Sequence, residues 1–408
     1  MFAENKMEKW AVRAGQGIDV PARLVLWNGR SFDLGRFERP LVVLQANSEA
    51  CLPYLMSPSL DRLARAYIEG LIDLEGRLTD AIVVAYALAQ RALTPAARLG
   101  RVIRNLPHTR AADQASISYH YDVSNAFYQA WLDPAMVYSC AYFENGGEDL
   151  ATAQRKKIDH ILRKIRLEPG QSLLDIGCGW GALVIQAARD YGARCVGITV
   201  SERQAELARA RVAAAGLENH VQIRLQDYRD VEGTFDRITS VGMFEHVGKK
   251  NLPAYFAQMR RLLADDGLAL NHGITSSDPD SGEAAFGGGE FIDKYVFPNG
   301  ELPHLGLALR AMQHGGLEAL DIENLRRHYA RTLHMWSERF EAASEAIRSE
   351  VGERRFRIWR IYLAGCAFAF ERDDISLYQI LCHKAGRTPH DIAWSRHYMY
   401  GDRSGYAG

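Results

Sequence analysis

Between residues 172 and 272 the apolar positions fall into two alternating rhythms. Short, nearly continuous apolar runs at 173–176, 194–200, 221–225, 235–241 and 268–272 have the length of buried strands. The stretches between them, 182–190, 202–215 and 252–263, carry apolar residues every three to four positions and read as helices. Strands separated by single helices predict an α/β fold with a parallel sheet and right-handed crossovers, whose ligands bind at the carboxyl ends of the strands. Asp175, Thr199, Asp227, Tyr228, Glu245, His246 and His272 all fall at those ends.

The flanking segments are less regular. The first twenty residues are mixed, with Met7 and Trp10 as their only anchors, and read as a frayed terminus. Runs at 22–26 and 40–45 around the turn Asn28-Gly29 predict a short antiparallel sheet. Residues 59–69 have helical spacing with Leu60, Leu63 and Tyr67 on one face; 69–76 reads as a strand, and 79–93 as a helix capped by Thr79 or Asp80. These make a small α+β domain of about a hundred residues, a size that can fold alone. The division is therefore 1–115, including a basic linker, and 116–408. The linker carries Arg91, Arg98, Arg101, Arg104 and Arg110 with no acid between Asp80 and Asp113; it reads equally as a strap for anionic lipid headgroups and as a solvated connection.

From Ser116 the chain turns aromatic. A helix ending near Asp133-Pro134 carries Tyr119, His120, Tyr121, Phe127, Tyr128 and Trp131, and a loop follows at 138–143. Polar atoms interleaved with the rings suit a pocket wall better than a dry interior. A helix at 150–166 leads to the first strand of the sheet. Beyond it, 275–303 is loop-rich, with Gly287-Gly288-Gly289, and reads as a lid carrying Phe286, Phe291 and Tyr295, or as a solvated insertion. Helices at 305–314, 330–348 and 354–370 and a last strand at 377–382 complete the sheet, with the tail after Arg387 ordered only in part.

Composition narrows the function. At 408 residues and a net charge of −1 the chain suits two domains and gives no electrostatic case for nucleic acid. The six cysteines form no CxxC pair, which points to reduced thiols in a cytosolic setting without structural zinc. No apolar run reaches membrane-spanning length. At Ser172–Gly181 the sequence SLLDIGCGWG runs a strand into Gly177, Gly179 and Gly181 and then a helix, a tight turn that suits either a nucleotide-like ligand or a bare βα connection. The third glycine comes too early for GxGxxG, and the second strand ends at Thr199-Val200-Ser201 without an acid for a ribose 2′-hydroxyl, which disfavours NAD. S-adenosylmethionine (SAM), which has no pyrophosphate, is the better tenant.

Seven segments then carry a resemblance. YHYDVSNAFYQAWLD from Tyr119, YSCAYF from Tyr138, LLDIGCGWG, GITVSERQ from Gly197, QDYRD from Gln226, FDRITSVGMFEHVG from Phe235 and HYARTLHMW from His328 together resemble the cyclopropane-fatty-acyl-phospholipid synthases and mycolic acid cyclopropane synthases. The N-terminal portion resembles the smaller domain of the phospholipid branch. The resemblance implies a Rossmann-like class I SAM-dependent methyltransferase domain that transfers a methylene group to the cis double bond of a phospholipid acyl chain. It implies SAM contacts at Tyr138, Ser139, Asp175, Gly177, Gly179, Gly181, Thr199, Gln204, Asp227 and Tyr228. Bicarbonate is implied as the base, held by Cys140, Glu245, His272, Tyr329 and the backbone of Ile274. Tyr295, Phe297 and Trp336 are candidates for the substrate wall, with Tyr329, since aromatic faces stabilise a nearby cation by ~0.5–2 kcal/mol. A cytoplasmic homodimer peripherally bound to the inner face of the membrane is also implied.

Each residue keeps an ordinary alternative. Cys140 could be a small core residue, His272 satisfied by a loop carbonyl, Glu245 a helix cap and Tyr329 a core tyrosine. Two other functions also remain open: a methyl-branched or methylene product from the same SAM site, and a lipid-binding protein that keeps the fold without turnover.

Overall fold

The computed structural model describes residues 2–16, 18–92, 123–280, 289–298, 300–387 and 392–400. The N-terminal part contains α1 (Phe2–Gly15), β1 (Ala22–Val25), β2 (Ser31–Leu34), β3 (Val42–Ala46), α2 (Leu52–Met56), α3 (Leu60–Ile68), β4 (Ile72–Gly76) and α4 (Leu78–Ala92). Three expectations change. The start of the chain is helical: Met7, Ala11 and Ala14, spaced at four and three residues, bury one face of α1 in this domain's core. The runs around Asn28-Gly29 do not pair with each other across that turn. Instead β1 pairs antiparallel with β2, a strand absent from the sequence reading, and lies parallel to β3, giving the order β2-β1-β3-β4. Arg91 of the basic segment donates to the carbonyls of Arg13 and Ala14 and fastens α4 to α1, while residues 98–110 lie outside the described residues. So does the boundary read at residue 115.

The second part opens with α5 (Asn125–Gln129) and α6 (Leu150–Lys164). It then alternates: β5 (Ser172–Ile176), α7 (Ala182–Tyr191), β6 (Arg194–Thr199), α8 (Glu202–Ala214), β7 (Val221–Leu225), β8 (Phe235–Val241), α9 (Leu252–Leu262) and β9 (Leu263–Ser276). Beyond it come α10 (Gly289–Tyr295), α11 (Leu305–His314), β10 (Leu317–Asn324), α12 (Arg326–Ala342), α13 (Ser344–Glu371), β11 (Ile375–Lys384) and α14 (His397–Tyr400). The seven strands lie in the order β10-β11-β9-β8-β5-β6-β7. Strands β9, β8, β5, β6 and β7 are mutually parallel, with single helices joining β5 to β6, β6 to β7 and β8 to β9 and only a short 3-10 turn between β7 and β8; β11 runs antiparallel to β9 and to β10. Strand β10 was not foreseen, because it is an edge strand with only Leu317 and Asp321 buried and shows no apolar alternation.

The aromatic segment divides. Phe127, Tyr128 and Trp131 are fully buried and pack edge-on and tilted with Phe340 and Trp359, so they are core and not pocket wall. Tyr119, His120 and Tyr121 lie outside the described residues, as does Phe286 of the expected lid. The expected lid is in part a helix, α10.

Helix α13 joins the two parts. Phe368 meets Tyr86 of α4 edge-on at 5.1 Å, Arg360 donates to the Tyr67 hydroxyl at 2.8 Å, and Arg357 pairs with Asp73 at 2.7 Å. The small domain is thereby held over the space beside the larger sheet.

Candidate active site

Two cavities lie at the carboxyl ends of the parallel strands. The smaller, about 490 Å³, is lined by Asp175, Gly177 and Gly179 from the β5–α7 turn, Thr199 and Gln204 from the β6–α8 turn, and Asp227 and Tyr228 after β7. Gly177 and Gly179 adopt φ of +80° and +54°, a conformation that side-chain-bearing residues avoid. Gly181, at +84°, serves a different purpose from the one implied. It does not line the cavity; a Cβ there would meet that of Ala208 at 3.3 Å, so its smallness lets α7 approach α8.

Polar groups around this cavity are organised. The Thr199 hydroxyl donates to Gln204 Oε1 at 2.8 Å, and Asp227 pairs with Arg229 at 2.7 Å. Asp175 accepts from Thr239 at 2.7 Å, and burial lifts its carboxyl to about 6. Such a cleft, glycine-floored at one end and lined by hydroxyl, amide and carboxylate groups, fits a nucleoside-containing ligand such as SAM.

The larger cavity, about 1280 Å³, is lined by Cys140, Glu245, His272, Ile274 and Tyr329 together with an apolar wall. Glu245 sits on a short 3-10 turn after β8. Its Oε1 accepts from the backbone N–H of Ile274 at 2.6 Å, while Oε2 is buried without a partner among the described residues. The Ile274 N–H is thus engaged by Glu245, and Ile274 also lines the cavity. Burial lifts the Glu245 carboxyl to about 7.

His272, on β9, is paired in register with Gln379 of β11. The Gln379 amide nitrogen stands 3.3 Å from Nδ1; with that amide donating, the ring proton lies on Nε2, which is buried and has no partner among the described residues. Burial, reinforced by Lys157 and Lys164, keeps the ring neutral by pulling its pKa well below the ordinary value. Burial likewise pushes the Cys140 thiol and the Tyr329 phenol far up. The Cys140 thiol donates to the Ala141 carbonyl at 3.2 Å. Cys140, His272 and Tyr329 are therefore all neutral at pH 7, and Glu245 alone of these four titrates near it. Neutral His272 and Tyr329 beside one titratable carboxyl suit a small oxyanion, while the Cys140 thiol, spent on the Ala141 carbonyl, does not suit thiolate chemistry.

Tyr138, Ser139, Gly242 and His246 line both cavities. Tyr138 is braced by Trp131 and Trp336, and its hydroxyl donates to that of Tyr362 at 3.2 Å. Of the expected substrate wall, Phe297 lines the large cavity. Tyr295 and Trp336 line neither: Tyr295 packs on Phe291, and Trp336 stands behind Tyr138 and Tyr329.

Three features escaped the sequence reading. Gln379 could be placed behind His272 only through the strand register. Lys157 lies beside Ser139, on a helix whose charge pattern looks solvated. The small domain lines the large cavity with Leu63, Tyr67, Ile82, Ala85 and Tyr86, which read as ordinary core positions of α3 and α4.

Comparison with known proteins agrees with this layout. Residues 108–380 match the family described as mycolic acid cyclopropane synthetase, and residues 15–97 match a domain of unknown function (DUF7884). The "Probable fatty acid methyltransferase" of Pseudomonas putida is 46% identical over 388 residues, covering 94% of this chain and 98% of that protein. The cyclopropane-fatty-acyl-phospholipid synthase of Escherichia coli K12 is 43% identical over 263 residues, covering 64% of this chain and 66% of that protein. Among solved structures, mycolic acid cyclopropane synthase CmaA1 complexed with SAH and CTAB superposes with a TM-score of 0.64 at 35% identity, covering 66% of this chain and 98% of that one.

Proposed function

Since the chain belongs to the mycolic acid cyclopropane synthetase family and has the class I SAM-dependent methyltransferase fold, we propose that it transfers a methylene group from SAM to a cis double bond in a phospholipid acyl chain. One observation carries this reading. A large, mainly apolar cavity is lined by Cys140, Glu245, His272 and Tyr329, and it shares Tyr138 and Ser139 with a polar cavity suited to SAM.

When bound, SAM supplies an electrophilic methyl group, and an isolated alkene is a weak nucleophile that must be held in line and dry. The apolar wall performs both tasks, and the small domain supplies much of it. Ring closure also requires a proton to leave the transferred carbon. Bicarbonate is the base we propose for that role. His272 Nε2–H would donate to it and Glu245 Oε2 would take up its proton; both atoms are buried and lack partners among the described residues, which is what a small oxyanion site needs. No described helix is long and apolar enough to cross a membrane. A substrate in the bilayer therefore implies peripheral contact.

A second reading has its own support. The Pseudomonas putida relative, which matches along nearly the whole chain, is named a fatty acid methyltransferase, so a methyl-branched product from the same site is the alternative. Incubation with SAM carrying a labelled methyl and vesicles of unsaturated phospholipid, followed by mass spectrometry of the acyl chains, decides. Gain of CH₂ with loss of the double bond supports cyclopropanation, and a branched chain supports the alternative. Absence of label from every lipid tested would sink both.

A further inference from the structure

Lys157 is a buried cation without a counter-ion among the described residues. It sits on α6 beneath the 138–143 loop and is 2% exposed, whereas its neighbour Lys156 pairs at the surface with Glu144 and Glu148. Its ammonium makes one hydrogen bond, to the Ser139 hydroxyl at 2.8 Å. No carboxylate among the described residues comes within ion-pairing distance of it. The acids that face it are already engaged: Asp133 accepts from the backbone N–H groups of Ala135 and Val137, and Asp175 accepts from Thr239. Cys140 and His272 are the other titratable groups that feel it; Cys140 is held as the thiol and His272 as the neutral ring. An ammonium with one neutral acceptor and no water-facing surface is expensive to keep charged, and burial accordingly pulls Lys157 down to about 8. Yet Lys157 borders the smaller cavity, next to Ser139, Tyr138, Asp175 and Gly177.

A buried cation on a cavity wall calls for an anion in the cavity. SAM has one anionic group, the carboxylate of its amino-acid end; its sulfonium and ammonium are both positive. We propose that Lys157, with Ser139 beside it, is the residue that receives the carboxylate of the cofactor's amino-acid end. This rests on the smaller cavity being the SAM site. The pairing fixes the end of the cofactor that lies next to the shared wall and leaves the adenosine to Thr199, Gln204 and Asp227. It does not distinguish SAM from S-adenosylhomocysteine (SAH), which keeps the same carboxylate.

The test is calorimetric binding of two probes to the full-length protein and to Lys157→Met and Lys157→Gln. SAH carries the carboxylate; 5′-methylthioadenosine has the adenosine and thioether but no amino-acid end. Both variants should weaken SAH by about ten- to a hundredfold, the scale of a lost charge-assisted hydrogen bond, and leave 5′-methylthioadenosine unchanged. Wild-type SAH affinity should also fall more steeply than the variants' as pH rises through 8, because only the wild type must keep Lys157 protonated. The glutamine variant retains a donor for Ser139 and decides the matter if the methionine variant does not fold. Equal weakening of both probes would assign Lys157 a structural role, and unchanged SAH binding would remove it from the site; either overturns the inference. If wild-type protein bound neither probe, the assignment of the cavity to SAM would itself fall, and the role of Lys157 with it.

Discussion

Replacing Glu245 by glutamine should make the ligand-free protein more stable, and by an amount that depends on pH. The carboxyl is 7% exposed, and burial raises it from an ordinary 4.5 to about 7. For an acid whose folded pKa is raised, the folded state holds the proton more tightly than the unfolded chain. Stability from this group is then greatest below pH 4.5, declines as pH rises towards 7, and is level above that. At ~1.4 kcal/mol per pH unit, the ionised enzyme at pH 8 carries a penalty of roughly 3 kcal/mol that a neutral isostere escapes. Glutamine can still accept the Ile274 N–H through its carbonyl oxygen, so the comparison isolates the charge. Urea denaturation of wild type and Glu245→Gln between pH 5 and 8 should give curves separated by under ~1 kcal/mol at the acid end and by roughly 3 kcal/mol at the other. A difference constant across that range would show that the carboxyl is not ionising in a buried setting. The same substitution should abolish turnover while leaving SAH affinity nearly intact, since Glu245 lines only the larger cavity.

Other residues give sharp tests. Gly181→Ala places a Cβ 3.3 Å from that of Ala208 at φ +84° and should cost ~1–2 kcal/mol in urea denaturation; no loss would deny the α7–α8 contact its role. Ala85→Phe, in the small domain's share of the large cavity, should depress turnover of long acyl chains more than short ones without changing SAH binding. Equal effects at all chain lengths would remove the small domain from the substrate path. Gln379→Leu strips His272 Nδ1 of its donor and should cost ~1–3 kcal/mol of stability. It should also mix the imidazole tautomers seen by nitrogen NMR; unchanged ring shifts would mean that something else fixes the ring.

The strand–helix alternation of 172–272 was legible because each element there is long, periodic and buried on a predictable face. The glycine turn and the strand-end residues were legible for the same reason, since a parallel sheet delivers its loops to one edge. What could not be read was set by tertiary register. β10 lacks alternation because it is an edge strand, and β2 pairs across a turn that the sequence assigned to its neighbours. The burial of Lys157 and the placement of Gln379 behind His272 depend on what packs above α6 and beside β9, which no local pattern reveals. Trp336 was misplaced because an aromatic at helical spacing looks the same whether it faces a cavity or backs the residue that does.

The partition at Tyr138, Ser139, Gly242 and His246 has a kinetic consequence. Each cavity has its own exposed rim: Glu202, Leu225 and Asp230 on one side, Lys250, Asp280 and Arg310 on the other. If the cavities hold cofactor and acyl chain as proposed, two ligands that meet at this shared wall from separate rims need impose no order on one another. On the proposed function, spent cofactor would then be exchanged while the acyl chain stays seated, and the chain need not be withdrawn between one cofactor and the next.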